Sequence, residues 1–245
     1  MVANTISIGP GFSIGPGFRL GSQGGGGGGP TVPTAGITAW DSGYLGPDLV
    51  ICAPGTWGSP APGQLEVAAT NSETSSALGF MDGNGSLYDY GPLVMFTLYV
   101  NTEDTQDAVD ALASVGVGYH TTDLTQPLGM TADSWGWKND GTIWQGGIQI
   151  NQWNIPFTSG DYMDIALNLT TNTAWMRVNG GLWNGRPDAN PVTGTHGQSL
   201  GLNGSGTAGS GTDIYPAANP GANNYYDAID ISTVTYNIPS GYTAI

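Results

Sequence analysis

Basic residues are nearly missing from this chain of 245 residues. Lys138 is the only lysine and Arg19, Arg177 and Arg186 the only arginines, against nineteen Asp and Glu, for a formal net charge of −15. Nucleic-acid binding needs clustered cations to neutralise phosphates, so that class is excluded, as is docking to an anionic membrane surface. Cysteine is scarcer still: with Cys52 alone, no disulfide can form within the chain, and a small buried hydrophobe is the reading for it. No 18-residue apolar run occurs, which excludes a transmembrane helix and membrane insertion by that route. The N-terminus lacks the basic head and apolar core of a secretory signal.

What is abundant is glycine, 41 residues, with 16 prolines, eight tryptophans and eleven tyrosines. So much glycine and proline suits short strands joined by tight turns better than helices. The aromatic and aliphatic supply argues against disorder. The clearest strands lie between Phe157 and Gly180. Met163, Ile165, Leu167 and Leu169 fall on one side of a period-2 strand, and Tyr162, Asp164, Ala166 and Asn168 on the other. Residues 170–173 supply a turn. Ala174, Met176 and Val178 restart the apolar face, with Trp175 and Arg177 opposite, and Asn179-Gly180 closes that strand with residues that tolerate positive φ. Such alternation predicts a sheet with one wet face. Residues 93–100 read as a long, central apolar strand, and Leu49–Ile51, residues 64–69 and residues 77–81 as shorter ones. Residues 103–113 are the one helix candidate, with acids in the first turn where the helix dipole favours them.

The head of the chain holds a repeat. Ser7-Ile8-Gly9-Pro10-Gly11-Phe12 is followed at once by Ser13-Ile14-Gly15-Pro16-Gly17-Phe18. Two short copies cannot bury their own apolar residues, because a solenoid needs more repeats. Ile6, Ile8, Phe12, Ile14 and Phe18 therefore need cover from the same segment in neighbouring copies or from a different protein. Residues 21–36, with six consecutive glycines and then Pro-Thr-Val-Pro, form a linker by composition. The organisation expected is an assembly arm at 1–20, a linker at 21–36 and a β-domain at 37–245.

Catalytic devices are hard to assemble from these residues. Glu66, Glu73 and Glu103 do not form the paired carboxylates of a glycosidase strand. Asp161 and Asp164, three apart in an extended segment, point to opposite faces, and Asp161 reads as an acceptor for backbone N–H groups at a turn. His120 and His196 lack a nucleophile elbow, and no His or Cys pair has zinc spacing. Asp82, Asn84 and Ser86 alternate like the opening of a calcium loop but lack its closing glutamate. No cofactor is expected, and no enzyme activity. Carbohydrate binding is the serious alternative, since sugars are held by aromatic faces and a few polar groups. Trp135, Trp137, Trp144 and Trp183, with Arg186, Asp188 and His196 in the polar loop Leu182–Gly211, are the candidates for it.

Several of these segments resemble one family. Phe157, Gly160-Asp161, Ile165-Ala-Leu-Asn-Leu169, Trp175 and Val178-Asn-Gly180 are similar in order and spacing to the SPRY-like, concanavalin-type β-sandwich of bacteriophage particles. Upstream, Gly116-Val-Gly118-Tyr119 and Ser134-Trp-Gly-Trp137 with Asp140-Gly141 resemble two of its strands. Downstream, Tyr215-Pro-Ala-Ala218 resembles a third, and Tyr236 with Pro239-Ser-Gly-Tyr242 its closing segment. The resemblance implies an all-β fold, an antiparallel two-sheet sandwich of jelly-roll type carrying a glycine-rich N-terminal arm. It implies a structural surface protein of a virion: a decoration, fibre or tail-associated component, assembled in the host cytoplasm. Its partners would be other virion proteins and copies of itself through the arm, and, on the lectin-like alternative, a host-surface glycan. Loops at one end of such sandwiches bind partners, which makes residues 182–211 the implied site.

Overall fold

The computed structural model describes residues 37–46, 49–52, 66–69, 77–81, 87–102, 113–119, 122–153, 155–201, 214–220, 227–232 and 236–245. The repeat arm, the linker, the calcium-like turn at 82–86, Glu73 and His120 lie outside the described residues, as does the helix candidate apart from Ala113 and the loop at 202–211.

Fifteen strands build the described fold. They are β1 (Ile37–Leu45), β2 (Leu49–Cys52), β3 (Glu66–Ala69), β4 (Ala77–Met81), β5 (Leu93–Thr102), β6 (Ser114–Tyr119), β7 (Ser134–Lys138) and β8 (Thr142–Gln145). Then come β9 (Ile148–Gln152), β10 (Tyr162–Asn168), β11 (Thr173–Val178), β12 (Gln198–Ser199), β13 (Ile214–Asn219), β14 (Asp227–Ile231) and β15 (Thr243–Ala244). One sheet runs β1-β4-β13-β6-β7-β8-β9 and the other β12-β11-β10-β5-β14-β3-β2. All neighbours are antiparallel except β15, which lies parallel to β5 beside Val94 and Met95, where β14 does not reach. The fold is thus an all-β antiparallel two-sheet sandwich, and the long apolar strand at residues 93–102 is central in its sheet.

The core forms where the inward faces meet. Val94, Phe96, Leu98 and Val100 of β5, Met163, Ile165 and Leu167 of β10, and Ala174 and Met176 of β11 join Val115, Val117, Trp135, Trp137 and Ile143 of the opposite sheet in one buried cluster. Trp137 donates its indole N–H to the Ile155 carbonyl at 3.0 Å and meets the Phe157 ring edge-on at 5.3 Å. Gly116 is where the strands must approach closely: a Cβ there would run into the Trp135 carbonyl across the β6–β7 ladder.

The hairpin β10–β11 pairs Met163 with Val178 through Asn168 with Thr173, and Asn179 and Gly180 take φ of 52° and 68°. Asp161 accepts the Thr158 backbone N–H at 2.8 Å, the turn role expected of it. The wet face expected on this hairpin is not there. Asp164, Ala166, Trp175 and Arg177 are all buried. A second apolar cluster of Met95, Ala166, Trp175, Ala189 and Tyr242 lies on the outside of the sheet, with Leu93, Trp183 and Ile238 packed against it. The cover comes from residues 181–197 and the C-terminal segment 236–245. Alternation identifies two faces, but only distant segments decide whether the second stays wet.

Candidate functional site

The outer face of the eight-stranded sheet carries a buried ion pair. The Asp164 carboxylate accepts the Thr97 hydroxyl at 2.6 Å and the Arg177 Nε–H at 2.7 Å. Arg177 Nη2 donates to the Tyr236 carbonyl and, at 3.2 Å, to that of Asn237. Burial pushes the Asp164 carboxyl up, opposed by Arg177 and Thr97, and pulls Arg177 down, opposed by Asp164. The pair sits at cross-strand register in the hairpin. Arg177 is therefore held over the outer face of the sheet, with its guanidinium 4.1 Å from the centre of the Trp183 ring.

Above this floor the chain from Gly181 to Gly197 folds into an ordered cover. Residues 183–185 make one 3-10 turn in which Asn184 takes φ of 51°. The Asn184 side chain accepts the Met176 N–H at 2.8 Å and donates to the His196 carbonyl, capping β11 beyond the point where β12 ends. Trp175 donates its indole N–H to the Thr195 carbonyl at 2.8 Å, and the Tyr242 hydroxyl reaches the Pro191 carbonyl at 3.3 Å. What the sequence presents as one long loop contains a short strand, β12, and an isolated bridge between Asn190 and Thr195.

Three of the candidate residues meet on this cover. Asp188 accepts Arg186 Nε–H at 3.0 Å and Nη2–H at 3.1 Å, and His196 Nε2 lies 2.9 Å from its second oxygen. All three are solvent-exposed. Hydrogen bonding to Arg186 holds the Asp188 carboxyl below its ordinary range, and the same contact raises Arg186. Trp183 stands beside them. It and Arg186 line a cleft of about 460 Å³ with Arg177, Leu182, Pro187 and Asn237.

The remaining candidates are elsewhere. Trp135 and Trp137 are 0% and 1% exposed, inside the main core. They offer no face to a sugar, which corrects their place among the glycan candidates: at i and i+2 on β7 both rings point between the sheets. Trp144 belongs to β8 of the other sheet. Its indole N–H is donated to the Thr142 hydroxyl at 2.8 Å, and Lys138 Nζ sits 3.9 Å from its ring centre. Lys138 is itself buried, which lowers its pKa against the pull of Asp140. Trp144 is not part of the cleft. Arg177, Leu182 and Asn237 are cleft residues that composition and loop polarity do not single out. For Arg177 a signal existed, an acid directly opposite it in the hairpin register. For Asn237 there was none.

No family model matches the chain, and no curated protein matches it. Among solved structures it is similar to the SPRY domain of human HERC1, at 13% identity over 68% of this chain and 87% of that one, with a TM-score of 0.45. It is also similar to a human SPRY domain, at 12% identity over 69% of this chain and 91% of that one, with a TM-score of 0.42. Stonustoxin is similar at 11% identity and a TM-score of 0.47 over 82% of this chain, which spans 27% of the toxin chain. The two-sheet sandwich rests on the strand pairing of the chain itself.

Proposed function

We propose that this protein is a non-enzymatic structural component of a bacteriophage particle surface, attached by its N-terminal arm and presenting the β-sandwich outward. The observation that carries the reading is the twin apolar hexapeptide joined through a glycine tract to a sandwich domain. Ile and Phe at fixed places in a segment too short to bury them are used where another surface covers them. The phage setting comes from the resemblance of the hairpin and its flanking strands. The experiment compares full-length protein with a chain lacking residues 1–30. Particles purified from the source culture, probed by electron microscopy with an antibody to the sandwich, should be labelled. The full chain should associate with other particle proteins or itself, and the truncated chain should stay soluble and alone. Unlabelled particles, or unchanged association after truncation, would end the proposal.

A lectin-like role is the second reading, and one observation favours it. Trp183 and Arg186 share an open cleft on an ordered cover, with Asp188 and His196 alongside. Attachment and glycan recognition use different parts of the chain and are compatible.

A further inference from the structure

The cleft beside Trp183 has an unusual charge for this molecule. Acids outnumber basic residues nineteen to four in the chain, yet among the described residues the charged ones lining the cleft are both arginines, Arg177 and Arg186. Each has its carboxylate behind it. Asp164 is buried under Arg177 and Asp188 grips Arg186 through Nε and Nη2; neither acid lines the cleft. Asp188 is in turn shared with His196. Arg186 is thus held in place by a contact that uses one edge of its fork, and a guanidinium with five N–H donors has others left to give. A positioned side chain loses less freedom when it binds.

Three chemistries converge within about 460 Å³, the size of a site for one or two sugar rings. The half-buried Trp183 ring, with the Arg177 guanidinium over one face, supplies an aromatic wall. Arg186 supplies charge-assisted donors for a carboxylate. The exposed Asn237 at the rim supplies an amide for hydroxyl groups.

From this the geometry points to a site for a carboxylated sugar, a hexuronate residue of an acidic polysaccharide, stacked on Trp183 with its carboxylate on Arg186. The inference rests on the lectin-like reading above and narrows it to acidic glycans. Because each arginine is paired with its own acid, recognition of the uronate rests on direct charge-assisted hydrogen bonds from Arg186 and not on an excess of positive charge.

The test titrates full-length protein with trigalacturonate, with galactotriose as the neutral match and triglutamate as a charge match, by calorimetry or backbone NMR. Trigalacturonate should bind about tenfold or more tightly than galactotriose. Arg186→Gln should remove that preference while leaving shifts outside residues 181–197 unchanged. Trp183→Phe should weaken both saccharides, and added salt only the acidic one. Equal binding of both saccharides, still sensitive to Trp183→Phe, would overturn the acidic preference and leave the glycan reading standing. Binding of triglutamate as tight as trigalacturonate would overturn it in favour of simple charge attraction. No binding of either saccharide would overturn both readings.

Discussion

Asp164 and Arg177 cannot be altered one at a time. Both are buried, and each satisfies the other. Asp164→Ala should cost about 3–5 kcal/mol, because it strands a buried guanidinium. The double change Asp164→Leu with Arg177→Met should recover most of that loss, since an apolar pair of similar size carries no desolvation penalty. Urea unfolding of the two variants beside the unaltered protein checks both statements. Tyr119 and Tyr242 give a pH prediction. Burial raises both phenols from 10.0 to about 12. A pKa higher in the folded than in the unfolded chain means stability that is complete below pH 10 and is lost as pH rises through 12. Alkaline titration should show these two phenolates appearing together with unfolding, later than those of exposed tyrosines. Individual residues were readable from the sequence where period 2 was enough, as for Met163, Ile165 and Leu167. They were misread where burial depends on a segment far away in the chain. Asp164 and Arg177 look like surface charges, and Trp135 and Trp137 look like binding aromatics.

The loop from Gly181 to Gly197 behaves as an element in its own right. It closes the outer face of the hairpin and finishes the edge of β11, which would otherwise present an unpaired N–H at Met176. Asn184→Ala removes that cap and the donor to His196, and should destabilise the protein by about 1–3 kcal/mol. Gly197→Ala should act differently. A Cβ there would strike the Trp175 ring and the Thr173 methyl, so β12 must lift away. Red-shifted tryptophan emission and faster proteolysis within 186–201, with the core strands still protected from hydrogen exchange, are the expected signs. The hairpin itself was legible, turn included, because its information is local. The cover was not, because its anchors are single polar contacts spread over a glycine- and asparagine-rich stretch with no repeating pattern. Only Trp183, Arg186, Asp188 and His196 stood out there, and the structure brings them onto the one cover.

At the scale of the molecule, charge is divided unevenly along the chain. The first 36 residues contain Arg19 and no acid, so the rest is more negative than the chain's total of −15. Copies of the sandwich should repel one another at low salt, and an acid-free arm is suited to bridge such bodies. Removing residues 1–36 is expected to leave the thermal midpoint within a degree or two while abolishing salt-dependent association, measured by light scattering across a salt series. The order of the strands has a further effect. β13 lies between β4 and β6 in one sheet and β14 between β5 and β3 in the other, so among the described residues no ladder joins strands β1 through β4 with the middle of the chain except through these two late strands. On the ribosome, a nascent polypeptide ending before Ile214 would hold four separate groups of strands, β1 with β4, β2 with β3, β5 with β10 to β12, and β6 to β9, and neither of the strands that join them. It would remain a client for chaperones until residues 214–231 had left the exit tunnel, and stalled chains of increasing length should gain protease resistance in one late step.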